Sequence, residues 1–476
     1  MIAPWAKEEV ESVDLGDERL DARIELLLSA LGSRPHLSIP AACGGRAEMA
    51  AAYRFFDNDK VTFDKVLQPH ITRTLQRLAE QPTVLLVQDS SEMDLTRPQQ
   101  EVAGVGELDG SRRGFVLHVM QAFTPDGTPL GTVGAEILNR TEGVSHASAA
   151  DKSQQRKHTP IEEKETLRWL TGLRRAREIA QQASPVHCVC VADSEADIYE
   201  VFAEPRGERP VDWLIRACQD RALETEAGTH LREQVLAGPV LYQAELRIRG
   251  RKAKTSVEKR SRRQNRETRQ ATVEVRAVAV TLRPPWRFDR QLPTITVHVV
   301  LVREPNPPAG EPPVEWILAT TLPIDTLEQV RTVVAYYCVR WGIEILFRTL
   351  KSGCRIERRR LEHMDRVAPC LALYLIVAWR TLFVCRMGRE CPDLDCEAVF
   401  EPSEWKAVWV AVHQKQAPKK TPRLADMVHL IARLGGYVER LRSEPGVQTL
   451  WIGMQRMYDL AWAWDSFGPG AKDAGS

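Results

Sequence analysis

Two short apolar runs rich in β-branched residues, TVLLVQD at 83–89 and VHCVCVAD at 186–193, each stop on an aspartate. Runs of this length read as strands buried on both faces, as in a sheet covered by helices. Between them, RGFVLHVMQAFTPDGTPLGTVGAEILNR (113–140) places two apolar stretches around TPDGTP, which signals a hairpin. IEEKETLRWLTGLRRAREIAQQA (161–183) then has helical spacing, with acidic residues in its first turn. Three strands, a helix, a strand and a helix in that order confine the centre of the chain to an α/β fold.

The 476 residues exceed one small core, so two or three domains are expected. Up to about residue 80, DERLDARIELLLSALG (17–32) and AEMAAAYRFFDND (47–59) predict a mostly helical domain. Residues 141–160 are polar and rich in Ser and Ala, and predict a mobile loop. From about 221 to 323, VLYQAELRIRG, ATVEVRAVAVTLRP, TITVHVVLVRE and VEWILATT predict an all-β insertion. The first two of these runs flank RKAKTSVEKRSRRQNRETRQ (251–270), the densest basic stretch in the chain. Such a tract either follows a DNA backbone or is a solvated loop. A long helix is predicted from about Asp325 to beyond Lys351, followed by APCLALYLIVAWRTLFVCRM (368–387), apolar around most of its circumference. Two helices and a loose tail, AKDAGS, complete the chain.

With 43% hydrophobic and 27% charged residues, the composition is that of a soluble globular protein, and the net charge of +1 argues against a uniformly basic nucleic-acid binder. Local basic surfaces remain open. No run of eighteen apolar residues occurs, and MIAPWAKEEVESVD lacks the regions of a secretion signal, so a cytoplasmic protein without a membrane span is expected. The ten cysteines lack paired zinc spacing and read as small buried hydrophobes.

In YCVRWGIEILFRTLK (337–351), Tyr337, Arg340, Glu344 and Lys351 follow steps of three, four and seven. At about 100° per residue they fall on nearly one helix face. Asp89 and Asp193 end buried strands, where ligands of α/β sheets bind, and Glu344 lies mid-helix. Carboxylates brought together repel unless they hold a hard cation, and oxygen ligands suit Mg²⁺ or Mn²⁺. Two such ions stabilise the attacking and leaving oxygens of a phosphoryl displacement, so phosphodiester chemistry is predicted. Arg340 and Lys351 would clamp phosphate, with Tyr337 as a hydrogen-bond donor. Each residue alone has a plainer reading. An aspartate after a strand caps a turn, Arg340 and Glu344 pair on a helix surface, and Trp316 packs in a core.

The Tyr-Arg-Glu-Lys spacing of 337–351, with VLLVQDSS at Asp89, VCVADSEADIY at Asp193, and LGDERL and AAYRFFDN near the N-terminus, resembles the bacterial cut-and-paste transposases of the insertion-sequence-four family, in the layout of transposon five. The resemblance implies an RNase H-like catalytic domain at 81–375 interrupted by the β insertion. A helical DNA-end-binding domain at 1–80 and a helical dimerisation domain at 376–476 would flank it. It also implies Asp89 shared between two Mg²⁺ ions, with Mn²⁺ able to substitute, Asp193 completing one site and Glu344 the other. Cleavage of transposon ends through a hairpin intermediate, and joining of the 3′-hydroxyls to target DNA by a homodimer, follow from it. Trp316 matches a position that stacks an extruded base, and Arg216 a DNA-contacting one; Arg46, Arg54 and Arg19 or Arg23 are candidates for end recognition. The expected partners are double-stranded DNA, as end repeats and target, and a second copy of the chain, at the bacterial nucleoid and with no membrane. Two other readings use the same residues: a non-catalytic DNA-binding relative that pairs with an active copy, and an RNase H-like nuclease without strand transfer.

Overall fold

A computed structural model describes residues 2–97, 100–140, 158–207, 211–225, 228–248, 268–311, 313–439 and 444–469. In chain order these form α1 (Pro4–Glu9), α2 (Glu18–Ser33), α3 (Ile39–Cys43), α4 (Arg46–Phe56), α5 (Phe63–Ala79), β1 (Thr83–Asp94), β2 (Glu107–Asp109), β3 (Arg112–Phe123) and β4 (Pro129–Leu138). Then come α6 (Leu167–Gln182), β5 (His187–Ala192), α7 (Tyr199–Phe202), β6 (Asp212–Ala217), α8 (Leu231–Ala237), β7 (Tyr242–Ile248), β8 (Arg269–Leu282), β9 (Ile295–Arg303) and β10 (Glu315–Thr320). The rest are helical: α9 (Leu327–Val339), α10 (Trp341–Arg348), α11 (Met364–Glu390), α12 (Pro402–His413), α13 (Leu424–Leu434) and α14 (Val447–Phe467). The chain divides into two units, residues 1–146 with 183–186 and 341–476, and residues 147–182 with 187–340.

In the first unit β3 is central, antiparallel to β1 on one edge and to β4 and the short β2 on the other. The TPDGTP hairpin forms as predicted. The Asp126 carboxylate accepts the Thr128 N–H at 2.9 Å and the Thr124 hydroxyl at 2.6 Å, and Gly127 takes the left-handed conformation, φ 91°, that closes the turn. Helices α5 and α11 pack on β4, and the Trp379 indole N–H donates to the Pro129 carbonyl at 2.8 Å. Helix α11 is long and apolar enough to cross a membrane, but 83% of its apolar window is buried inside the protein, which makes it a core helix. It runs unbroken through residues 375 and 376, where a domain boundary was expected. Its later residues Val384 and Cys385 join Trp405, Val408, Leu424, Met427 and Leu450 in the core of the C-terminal helices.

In the second unit β5 and β6 are parallel, and β10, β9, β8 and β7 continue the sheet antiparallel from β6. The 221–323 region therefore extends the sheet that holds β5 and β6. It is mainly β rather than all-β, because Leu231 and Val235, one turn apart and both buried, anchor α8. The expected loop at 141–160 lies outside the described residues up to 157. Most of the basic tract, 251–267, and the tail AKDAGS also lie outside them.

Two expectations need correction. The predicted helix from Asp325 to beyond Lys351 breaks at Arg340, whose N–H turns to the Tyr337 carbonyl at 3.1 Å, and after Arg348 it widens into a π-turn, Thr349–Gly353. One 100° periodicity therefore does not carry from Tyr337 to Lys351. Asp89 lies inside β1, opposite Val119, instead of ending the strand. β3 continues to pair with Ser90 to Asp94, polar except for the buried Met93, so the ladder outlasts the apolar run.

Candidate functional site

In the second unit, Asp193 follows β5 directly. Its Oδ1 accepts the Glu195 N–H at 2.8 Å and caps the short turn Ser194–Ala196, so the plainer reading of this aspartate is realised in the fold. In the parallel register Ala192 lies opposite Ile215, which brings Arg216 beside Asp193, and Arg216 Nη2 donates to Ser194 Oγ at 3.0 Å. Asp197, which sequence reasoning passed over, is buried. It accepts the N–H groups of Cys218 and Gln219 at 2.7 and 2.8 Å and pairs with Arg221, tying the turn after Asp193 to the end of β6. Only the second acid of SEAD marks it in the sequence.

Tyr337, in the last turn of α9, is buried, with its ring 5.7 Å from that of Trp316 and 5.7 Å from the Arg340 guanidinium carbon. Burial pushes its phenol above the ordinary range; the Arg340 and Arg216 guanidiniums oppose that rise, and the Asp193 carboxylate adds to it. Asp193, Arg216, Tyr337, Arg340 and Trp316 thus converge. Trp316 is half-buried and also leans on Ile248, Ala271 and Val314, so it has a packing role as well as an aromatic neighbour.

In the first unit, Asp89 is half-buried on β1 and its Oδ1 accepts the Ser90 N–H at 2.8 Å. Helix α10, which carries Glu344, packs against β1. The Lys351 ammonium donates to the Glu92 carbonyl on β1 and lies 3.7 Å from the Glu357 carboxylate. Asp89, Glu344 and Lys351 therefore all sit on, or on elements against, one strand. The predicted ligands are divided: Asp89 and Glu344 belong to this unit and Asp193 to the other. Within each unit, among the described residues, no three His, Cys, Asp or Glu side chains are gathered as one cluster. Arg46 and Arg54 are exposed at the two ends of α4, Arg23 is half-buried, and Arg19 is held by the Asp17 carboxylate at 3.0 to 3.1 Å.

Three comparisons with known families bear on this arrangement. The Transposase DNA-binding family matches residues 2–61, the Transposase DDE domain family 165–379, and the Transposase Tn5 dimerisation domain family 376–463. The chain is a DDE transposase. It is a DNA-cleaving and strand-transferring enzyme whose partners are DNA and a second copy of itself. The DDE match gives the transposase an RNase H-like catalytic domain and contains Asp193, Arg216, Trp316, Tyr337, Arg340, Glu344 and Lys351; Asp89 precedes it. Arg46 and Arg54 fall in the DNA-binding match, and the dimerisation match begins inside α11.

A DDE domain implies divalent-metal chemistry. The predicted donors, Asp89, Asp193 and Glu344, all offer carboxylate oxygen, which suits a hard divalent cation. Asp89 and Asp193 are each oriented by a nearby backbone N–H.

Proposed function

We propose that the transposase belongs to the insertion-sequence-four family, binds transposon end repeats, cuts them through a hairpin intermediate and joins the freed 3′-hydroxyls to target DNA. The convergence of Asp193, Arg216, Tyr337, Arg340 and Trp316 in one unit carries this reading. A carboxylate, two guanidiniums, a phenol and an indole together suit a phosphodiester beside an unstacked base.

Asp89, Asp193 and Glu344 would hold the metal ions. Two divalent cations, Mg²⁺ with Mn²⁺ able to substitute, supply stabilisation of the attacking and leaving oxygens. Arg340 offers phosphate a planar fork and Lys351 a point charge, while the Tyr337 phenol, kept protonated by burial, donates a hydrogen bond. A hairpin bends the duplex end sharply, and extruding one base relieves the bend at the expense of unstacking. Stacking of that base on Trp316 would offset about 1 to 3 kcal/mol of the penalty. Arg216 contacts the strand next to Asp193, and Arg46 and Arg54 meet the end repeat. The working form is a homodimer on paired ends at the bacterial nucleoid. Residues 1–80 bind the ends, 81–375 catalyse and 376–476 dimerise.

The test uses DNA carrying the repeats that flank the gene, with wild-type protein and Glu344→Ala in Mg²⁺. Wild type is expected to give nicks and hairpins at one defined end. Glu344→Ala should retard the same DNA and leave it uncut. Equal cleavage by both would remove Glu344 from the site, and a retarded complex cut by neither would favour a non-catalytic DNA-binding role.

A further inference from the structure

β3 is a run of buried apolar residues, Phe115, Val116, Leu117, Val119 and Met120, interrupted by one equally buried imidazole, His118. A polar ring in such a strand costs stability unless both nitrogens are bonded. Its partners lie on β1. Ser90 stands directly opposite His118 in the antiparallel register, with Ser90 Oγ 2.9 Å from Nδ1, and the buried Gln88 brings Oε1 to 3.2 Å from Nε2. An amide oxygen only accepts, so Nε2 carries a proton towards Gln88, and the Ser90 hydroxyl hydrogen-bonds Nδ1. Both ring nitrogens are used.

Side chains alternate along a strand, so Gln88 and Ser90 share the face of His118, while Asp89 between them points to the other face. Ser90 also donates its backbone N–H to Asp89 Oδ1 at 2.8 Å. We infer that His118 is a positioning residue for the transposase reaction: from the opposite face of β1 it grips the residues on either side of Asp89 and so fixes the direction of the Asp89 carboxylate. This rests on Asp89 as a metal ligand. Partners of this kind hold a ligating carboxylate in its productive orientation, and their loss typically costs about 10- to 100-fold in metal affinity or activity.

His118→Ala, His118→Asn, His118→Leu and Asp89→Asn are compared in the full-length protein. The readouts are end binding by gel retardation, the metal concentration for half-maximal cleavage, and Mn²⁺ bound to the protein–DNA complex by electron paramagnetic resonance, the last independent of turnover. His118→Asn places an amide oxygen near the Nδ1 position and keeps the Ser90 bond. It should hold Mn²⁺ nearly as tightly as wild type. His118→Leu fills the volume but accepts nothing, and should behave like His118→Ala, with Mn²⁺ binding and cleavage roughly 10- to 100-fold weaker and end binding retained. If His118→Ala does not fold, the Asn and Leu pair decides alone. Equal Mn²⁺ binding by His118→Leu and wild type would overturn the inference, making His118 a packing residue. If Asp89→Asn itself binds Mn²⁺ and cuts like wild type, the reading of Asp89 falls, and the inference with it. If Asp89→Asn is inactive while His118→Ala and His118→Leu match wild type, the inference alone falls.

Discussion

At Gly342 a single hydrogen decides how close α10 can come to the sheet. A Cβ there would lie 2.6 Å from Cε1 of Phe123, a ring at the end of β3 that is itself buried. Either the ring or the helix must shift to admit it. Gly342→Ala should therefore destabilise the protein by about 1 to 3 kcal/mol, as overpacking of a full core does. Chemical denaturation should show the loss, and Phe123→Leu placed beside it should restore part. An unchanged unfolding midpoint in Gly342→Ala would mean that the helix can shift freely. The sequence presents Gly342 without a reason, because its partner lies more than 200 residues away in the chain. Asp197 and His118 are hidden for a related reason: their partners lie on other elements, 21 residues away on the end of β6 and 28 to 30 away on β1. The contact of Tyr337 with Arg340 is legible for the opposite reason: it is a local spacing of three.

Elements follow the same division between local and distant causes. β5 is readable as an apolar run, and the β3–β4 hairpin through TPDGTP, since burial and turn chemistry are written in consecutive residues. The second half of β1 is polar apart from Met93 and exists as a strand because β3 offers it a ladder. Helix α12 went unanticipated although Glu401 and Glu404 form a reciprocal capping box at its start, with Glu401 standing where Ser or Thr is the usual signal. The pairing of α13 with α14 depends on another close approach. A Cβ on Gly453 would lie 1.8 Å from the Ile431 carbonyl oxygen, which is backbone and cannot rotate away. Gly453→Ala must separate the two helices. Gly453 and Ile431 both lie in the stretch matched to the dimerisation family, so sedimentation at equal protein concentration should show the variant shifted toward monomer. An unaltered dimer fraction would place the dimer contact away from this helix pair.

For the whole chain, both ends contribute to the first unit, and buried ionisable groups lie among its helices. The Arg380 guanidinium on α11 lies over the Trp5 ring of α1 and donates to the Val399 carbonyl, with the buried Glu404 of α12 acting on it as an opposite charge. Burial pushes the Glu404 carboxyl from its ordinary 4.5 up to about 7; the Glu401 N–H and Arg380 pull it down, and the Glu401 and Asp465 charges add to the rise. Glu9 behaves oppositely. Burial alone would raise its carboxyl, but His70 and Arg77 outweigh that and hold it at about 2. The signs set two windows. Glu9 adds stability above the ordinary carboxylate range, which is lost as pH falls toward 2. Glu404 has a folded value above its unfolded one, so its contribution is complete below about 4.5 and is lost as pH rises through about 7, a span worth about 3 kcal/mol. Glu404→Gln stays neutral at every pH and can still accept the Glu401 N–H that Glu404 accepts at 2.8 Å. Its unfolding midpoint should match wild type near pH 4 and exceed it at pH 8.5. A parallel decline of both proteins across that interval would show that ionisation of Glu404 is not what weakens the joined ends of the chain in alkali.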